Sequence, residues 1–331
     1  QLWITRHGRW DSPKFFLGES YGGTRAAVVT LALAGGTSYQ GYLRAIPLNG
    51  VISLVNTLGM SGVGNDGIGA LPNQALSLPN FAATAWYHKT IDRKDRSLQA
   101  FYEEVSEFAA TEYVDALTKE SEQRLPAEER TAVVAKLIAY TGLPPSAFDR
   151  SLALSVPEFT KLALAPRGLD VGVYDTRFVT PAGRGAGDFV ADDAALARTM
   201  PVFLGAFHNI QYSKLKVQMD RQFTPVSWRS TYGSWNYKHK SGVMGDAFKG
   251  SSADELAVAM NRNDGLHVMI ATGYYDLLMT PAAARYAATK ARMPQDRLVL
   301  KAYEAGHEPY VEEFRTQLSN DIRQFIRKAS Q

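Results

Sequence analysis

The sequence of 331 residues contains no cysteine, so no disulfide holds the chain together and its stability must come from packing. It contains no apolar run of about 18 residues, the length from which a bilayer-spanning helix is inferred. Its 36 basic and 33 acidic residues leave a net charge of +3, which favours neither nucleic acid nor an anionic membrane as a partner. No two of its six histidines lie four residues apart, so the helical two-histidine zinc pattern is absent and no metal is expected. A hydrophobic content of 45% is enough for a large globular core.

The strongest positive signal is the stretch Gly-Glu-Ser-Tyr-Gly-Gly at residues 18–23. It follows a short apolar stretch at 14–17 that predicts a strand, and it precedes a stretch rich in alanine and leucine at 24–34 that predicts a helix. A G-x-S-x-G turn in this context raises a serine hydroxyl out of a strand and onto the start of a helix. Its glycines are expected where helix and strand come too close for a Cβ. Ser20 is therefore a candidate nucleophile.

Two later segments supply candidate partners for this serine. Residues 266–271 predict a buried strand, and Asp276 follows in the turn beyond it. Residues 297–303 predict another strand, and His307 follows in a loop bounded by glycine and proline. The chain order serine, aspartate, histidine is that of α/β-hydrolases. The plainer alternatives are that Asp276 caps the helix that begins near Pro281 and that His307 is an ordinary loop residue.

These three segments resemble the motifs of the serine carboxypeptidase family, α/β-hydrolases that remove C-terminal amino acids from peptides. Residues 18–23 are close to the family signature G-E/D-S-Y-x-G, and residues 271–281 are similar to its acid motif G-x-x-D-x-x-x-x-P. Residues 305–310 are similar to its histidine motif G-H-E/M-x-P, with the proline one place early. Residues 78–88 are similar to the bacterial branch of the family. The resemblance spans the chain, and it is tight at the three motifs and loose between them.

The resemblance implies a catalytic triad of Ser20, His307 and Asp276 that acts through an acyl-enzyme and needs no cofactor. The backbone N–H of Tyr21, at the start of the predicted helix, is the implied oxyanion donor.

The resemblance also implies that Glu19 and Glu308 bind the terminal carboxylate of the substrate. Carboxyl groups can hold a carboxylate only when at least one of them is protonated, so peptide hydrolysis is expected to be favoured at acidic pH. The alternative is that Glu19 caps the helix after the turn and that Glu308 is a solvated loop acid.

The position of the turn, at residue 20, is early for this fold, which normally places several strands before it. The family's W-L-N-G-G-P-G-type loop, which donates the second oxyanion N–H, does not occur, and residues 1–10 resemble the end of the helix before the nucleophile strand. We therefore expect about 100–150 further residues upstream, as a separate chain or as another segment of the same protein. Secreted eukaryotic members are disulfide-bonded, so a chain without cysteine implies a bacterial enzyme, periplasmic or secreted.

The expected fold is an α/β-hydrolase, a mostly parallel sheet flanked by helices, with an inserted and mainly helical cap and without the N-terminal part of its sheet. We place the core at 1–78 and 263–331 and the cap at 79–262. Helical periodicity at 97–119 and 126–140 supports this division.

Two further segments have alternatives. The G-x-G-x-x-G at 62–67 lacks a following helix and is interpreted as a glycine loop rather than a dinucleotide site. The aromatic and basic stretch at 227–240 favours a cleft wall or a packed loop over stacking on bases.

The expected partner is a peptide substrate, with the upstream portion as a second partner, and neither nucleic acid nor a membrane span is expected. A homodimer is an open alternative. Two rival functions remain: a related esterase or acyltransferase on the same scaffold, and a catalytically inactive binding or stabilising protein.

Overall fold

The computed structural model describes residues 1–36, 41, 43, 45–55, 58, 70–187, 190–221, 223, 224, 227, 234 and 251–331, with the exception of the side chains of 70–73 and 312. The glycine-rich stretch at 62–67 and most of the segment at 227–240 lie outside the described residues.

A parallel four-stranded sheet organises this part of the chain. Its strands are β1 (Phe15–Glu19), β2 (Gly50–Leu54), β5 (His267–Gly273) and β6 (Leu298–Tyr303), in the order β1-β2-β5-β6. Every neighbouring pair is parallel. Two short strands, β3 (Leu169–Val171) and β4 (Val179–Pro181), form a separate antiparallel pair. The α/β class with a mostly parallel sheet, expected from the sequence, is confirmed.

Helices flank this sheet and fill the long stretch between β2 and β5. Those described are α1 (Leu2–Arg6), α2 (Tyr21–Leu33), α3 (Ala70–Tyr87), α4 (Leu98–Phe108), α5 (Val114–Ser121), α6 (Ala127–Thr141), α7 (Val156–Leu162), α8 (Ala194–Asn209), α9 (Ser252–Arg262), α10 (Pro281–Lys290) and α11 (Arg315–Ala329). The stretch predicted as one helix at 97–119 is α4 and α5 joined by a π-helical turn. A 3₁₀ turn at Glu312–Phe314 leads directly into the last helix. Among the described residues, no helix is both long and apolar enough to cross a membrane.

The inner strands β2 and β5 are nearly continuous buried runs, so apolar side chains project from both faces of the sheet and helices cover both. Val51, Val268 and Ile270 pack on one face with α2, α9 and α10. Ile52 and Met269 pack on the other face with α11. The two inner strands are therefore buried on both sides, which fixes their carboxyl ends.

A third apolar core lies among helices α3 to α7, where the Phe81 and Phe159 rings stack with their centroids 4.1 Å apart. Tyr275, which follows β5, belongs to the same core and is 2% exposed. The helical stretch is thus packed onto the turn beyond β5. Helix α3 runs through residue 78, where we placed the first boundary between core and cap, and the division into core and cap stays a prediction.

Candidate active site

Ser20 occupies the sharp turn between β1 and α2. Its φ of 53° and ψ of −125° are rarely adopted by residues other than glycine, and such strain costs about 1–3 kcal/mol. Its N–H donates to the Leu54 carbonyl at 3.0 Å, and the Gly23 N–H donates to its carbonyl at 2.8 Å. Gly18 is required here, because a Cβ on it would lie 2.1 Å from the Gly22 carbonyl oxygen. A Cβ on Gly22 would meet nothing within 4 Å, so the expected crowding is right for Gly18 and wrong for Gly22.

Asp276 and His307 form a buried pair, with exposed fractions of 0% and 6%. Nδ1 of His307 donates to Oδ2 of Asp276 at 2.7 Å. The other carboxylate oxygen, Oδ1, accepts the Leu278 N–H at 2.8 Å and the Met279 N–H at 3.2 Å. Because an ionised carboxylate only accepts hydrogen bonds, Nδ1 carries the proton and Nε2 is the basic nitrogen of the neutral ring.

The structure bears on both plainer alternatives for this pair, and the one for Asp276 is wrong. The cap of α10 is Thr280, whose hydroxyl accepts the Ala283 N–H at 3.1 Å, so Asp276 has no capping role there. His307 lies in the loop after β6, as expected, and it is buried there and hydrogen-bonded to a carboxylate.

The candidate residues lie along one edge of the sheet. Ser20 directly follows β1, Asp276 follows β5 and His307 follows β6, and the carboxyl ends of parallel strands share an edge. A direct contact joins the two ends of this edge, because the Tyr310 hydroxyl donates to Oε1 of Glu19 at 2.7 Å. Glu19 precedes the serine and Tyr310 is three residues beyond the histidine. The histidine loop therefore lies against the serine turn.

Opposing effects set the pKa of His307. Burial, the largest of them, lowers it because a charged imidazolium is costly away from water. Attraction and the hydrogen bond from Asp276 raise it, and the carboxylates of Glu19 and Glu308 add to this. The carboxylates prevail, and the pKa of His307 lies above its ordinary value of 6.5. The surrounding carboxylates therefore stabilise an imidazolium at this position.

The two acids beside the pair interact with each other. Burial, followed by repulsion from Glu19, raises the pKa of Glu308 above its ordinary value. Asp175 and Asp193 raise it further, and a positive charge on His307 opposes the shift. Glu308 therefore keeps its proton to a higher pH than a solvated glutamate does.

The structure contradicts the plainer alternatives for Glu19 and Glu308. Glu308 is half-buried rather than solvated. Glu19 does not cap α2, since Ser20 holds the cap position, and its carboxylate accepts from Tyr310 instead. Tyr310 is a site residue that the sequence reasoning missed.

Backbone hydrogen bonds join the turns that carry the acid and the histidine to a third segment, residues 173–178. The His307 N–H donates to the Tyr174 carbonyl at 2.7 Å, and the Thr176 N–H donates to the Tyr275 carbonyl at 3.0 Å. The Tyr275 N–H in turn donates to the Ala305 carbonyl at 3.1 Å. The three segments form one hydrogen-bonded unit, so a shift in any of them moves Asp276 or His307.

A buried polar network lies beneath the turn that follows β5 and carries Asp276, called the acid turn below. This network was not predicted from the sequence. Asn80 on α3 is 0% exposed, and its NH₂ group donates to the Asp276 carbonyl at 2.7 Å and to the Gly273 carbonyl at 3.2 Å. The Tyr102 hydroxyl donates to the Asn80 side-chain oxygen at 2.6 Å and accepts the Ala282 N–H at 3.3 Å. The network ties both ends of the acid turn to the helical segment.

Asn80 and Thr84 on α3, together with His88 directly after the end of that helix, form a polar stripe in which each residue is four from the next. The Thr84 hydroxyl donates to Oγ1 of Thr176 at 2.8 Å, and Nε2 of His88 donates to the Thr176 carbonyl at 2.6 Å. Burial lowers the pKa of His88, in keeping with a neutral ring there. The signal in the sequence was this i, i+4, i+8 spacing along an apolar helix and the residue directly after it.

Within the part of the chain that the structure describes, no group of three or more histidine, aspartate or glutamate side chains could hold a metal ion. Comparisons with models of protein families, with curated proteins and with solved structures found no match to this chain. The chemistry of the sheet edge is therefore the basis for a functional assignment.

Proposed function

We propose that the protein is a serine carboxypeptidase with an α/β-hydrolase fold, in which the helices between residues 79 and 262 form a cap. The observation that supports this best is the buried 2.7 Å hydrogen bond between His307 Nδ1 and Asp276 Oδ2 at the sheet edge where Ser20 ends β1. Serine, histidine and aspartate at one such edge are the parts needed for acyl transfer.

In the proposed reaction, Oγ of Ser20 attacks the scissile carbonyl while Nε2 of His307 accepts the hydroxyl proton. Asp276 holds the ring in the tautomer with Nδ1 protonated and stabilises the imidazolium that results. His307 then gives the proton to the leaving amine, and the amino acid departs. Water repeats the sequence on the acyl-enzyme and regenerates Ser20.

The oxyanion formed in each half of the reaction needs donors beside the serine. Tyr21 is the first residue of α2, so its N–H lies at the positive end of the helix dipole next to the nucleophile. This group is the proposed donor, and a second one is predicted to come from residues upstream of the turn.

Selection for a free C-terminus is assigned to the two acids. A protonated Glu308 donates a hydrogen bond to the substrate carboxylate, which an ionised glutamate would repel. Its raised pKa keeps that proton in place at mildly acidic pH. Glu19 lies beside Ser20 and completes the acid pair, with its orientation set by the Tyr310 hydroxyl.

Labelling with a fluorophosphonate tests the nucleophile. We expect one adduct, mapped by peptide mass spectrometry to Ser20, and none in Ser20→Ala. The matched control is Ser121→Ala, at the exposed end of α5, which should label at the normal rate. A native protein that carries no adduct at Ser20 would support the inactive binding protein instead.

Product analysis tests the reaction. A blocked peptide with a free C-terminus should lose its last residue, and the same peptide amidated at its C-terminus should react far more slowly at acidic pH. Rapid turnover of an aryl ester, with no release from any peptide, would favour the esterase or acyltransferase.

A further inference from the structure

A small cavity borders His307 and Glu308 on the side of α8. Its enclosed part, taken as the space that a water-sized sphere can occupy, measures about 20 Å³, and the whole space including the open solvent at its mouth about 340 Å³. Phe178 and Leu196 are among the apolar residues that line it. Because a water molecule needs roughly 10–15 Å³ of such space, the enclosed part holds one water or one group the size of a methyl.

The wall formed by the start of α8 is held firmly in place. Ala195 and Leu196 are 5% and 8% exposed, and their N–H groups donate to Oδ1 of Asp193 at 3.0 and 3.1 Å. Oδ2 of the same carboxylate accepts the Val173 N–H at 2.6 Å. The next residue, Tyr174, accepts the backbone N–H of the catalytic histidine. One carboxylate therefore links the cavity wall to the segment that positions the base, so the wall cannot recede without disturbing that segment.

The lining presents little net charge. Asp175 and Arg177 neutralise each other through a fork of contacts, with Nη2–Oδ2 at 2.6 Å and Nε–Oδ1 at 3.0 Å. The Thr199 hydroxyl donates to the Ala195 carbonyl at 3.1 Å. Among the described lining residues, Glu308 is the remaining acid, and the proposed function requires it to be neutral. A charged side chain entering here would lose its hydration without gaining a partner of opposite sign.

The position of the cavity indicates which part of a substrate would face it. On the proposed function, on which this inference rests, His307 protonates the leaving amine and Glu308 binds the leaving carboxylate. The substrate residue that carries this amine and this carboxylate is the one released. The cavity borders both His307 and Glu308, so it lies beside that residue. We propose that this cavity receives the side chain of the released C-terminal residue and restricts it to small uncharged types: glycine, alanine and serine.

The expected discrimination follows from size. Alanine places one methyl in the enclosed space, whereas leucine and phenylalanine must displace the Leu196 wall. A mismatch of one methylene in an apolar pocket changes kcat/KM by about 10-fold or more, so alanine should exceed leucine by at least that factor.

The experiment compares kcat/KM for blocked dipeptides with one common acyl residue and glycine, alanine, serine, leucine, phenylalanine or lysine as the released residue. Leu196→Ala enlarges the cavity and should reduce the preference for alanine over leucine by about 10-fold. The matched control is Leu215→Ala, at a leucine that is 67% exposed and does not line the cavity, and it should keep the native preference. Ala195→Val fills the enclosed space and should move the preference in the opposite sense, towards glycine.

The outcomes separate this inference from the proposed function. If native protein releases leucine or phenylalanine as fast as alanine, or if Leu196→Ala and Ala195→Val leave the preference unchanged, the cavity is not the subsite, although the enzyme is still a carboxypeptidase. If no dipeptide is cleaved, the proposed function itself fails. The rate of fluorophosphonate labelling at Ser20 verifies that each variant is folded, because this small reagent does not need the subsite.

Discussion

The sharpest test of the proposed mechanism is the pH dependence of two substrates that differ only in the terminal carboxylate. A blocked peptide with a free C-terminus needs His307 without its added proton and Glu308 with one. The same peptide with a C-terminal amide needs only the first condition. We therefore expect kcat/KM to follow a bell for the free acid and a single rising curve for the amide.

The shape of the bell follows from the electrostatic coupling of the two groups. Carboxylates raise the pKa of His307, and burial together with Glu19 raises the pKa of Glu308, so both titrations lie above their ordinary ranges. In the productive form, Glu308 carries a proton and His307 is neutral. In the unproductive form, the same proton lies on His307 and Glu308 is ionised, so the two forms have the same net charge. Because pH cannot change the ratio of these two forms, the limbs of the bell belong to the pair rather than to either residue. On the alkaline side the free-acid rate falls while the amide rate stays at its plateau.

The size of the preference for the free acid follows from one hydrogen bond, the bond from protonated Glu308 to the substrate carboxylate, which is lost when Glu308 ionises. A hydrogen bond to a charged group contributes about 1.5–3 kcal/mol. Glu308 is only half-buried, so we take about 2 kcal/mol, which is about 30-fold in kcat/KM. The preference for free acid over amide should decline by at least this factor between the top of the bell and the alkaline plateau.

The variant Glu308→Gln keeps a neutral donor at every pH. Its free-acid profile should lose the alkaline fall, and its rising limb should shift to lower pH because one carboxylate that raises the pKa of His307 is gone. Glu19→Gln removes a charge that raises both pKa values, so it should move both limbs of the bell to lower pH. Glu304→Gln, at an exposed acid in the same loop, is the control and should match the native profile. Native profiles of the same shape for both substrates, or a Glu308→Gln variant with its alkaline fall intact, would refute carboxylate capture.

Three further substitutions test the framework of the site. Asp276→Asn should lower kcat/KM by about 10³–10⁴ with little change in Tm, because the imidazolium loses its counter-charge; kinetics that stay within tenfold would contradict the triad. Gly18→Ala places a Cβ 2.1 Å from the Gly22 carbonyl oxygen and should reduce the urea unfolding free energy by about 1–3 kcal/mol, whereas Gly22→Ala should change it little. Asn80→Leu removes the hydrogen-bond partner of two buried carbonyls and of the Tyr102 hydroxyl, so it should reduce the unfolding free energy by about 2–4 kcal/mol in the same assay. An unchanged urea midpoint would show that the network does not stabilise the fold.

The residues that could be predicted from the sequence are those whose chemistry is local. The turn at Ser20 is marked by its flanking strand and helix, and the crowding at Gly18 follows from the same few residues. Asp276 follows a buried apolar strand and His307 follows the partly exposed strand beside it, and parallel strands bring such positions to one edge. The fold class and the candidate triad were therefore accessible from short patterns and chain order.

The contacts that were missed join residues far apart in the chain. Tyr310 and Glu19 are separated by 291 positions, and Asn80 and the Asp276 carbonyl by 196. A single sequence carries no trace of such a pairing, because an exposed tyrosine and a buried asparagine are each compatible with many neighbours. The error at Gly22 has a related origin: the pattern requires a glycine there, but the space around it depends on how the helix leaves the turn.

The polar stripe of Asn80, Thr84 and His88 shows what determines the geometry of this site. Asn80 binds the carbonyl of the proposed triad acid, and Thr84 and His88 bind Thr176, which belongs to the segment that holds the backbone of His307. Asn80 and Thr84 are buried and His88 is half-buried, so their hydrogen-bonding groups need partners. Several of these partners lie in the turn that carries Asp276 and in the segment at 173–178 that binds the backbone of His307. The helical segment is therefore more than a cover for the sheet edge. Its packing against the acid turn and the accuracy of the Asp276–His307 contact are one structural requirement, so substitutions on α3 should act on the chemistry as well as on the stability.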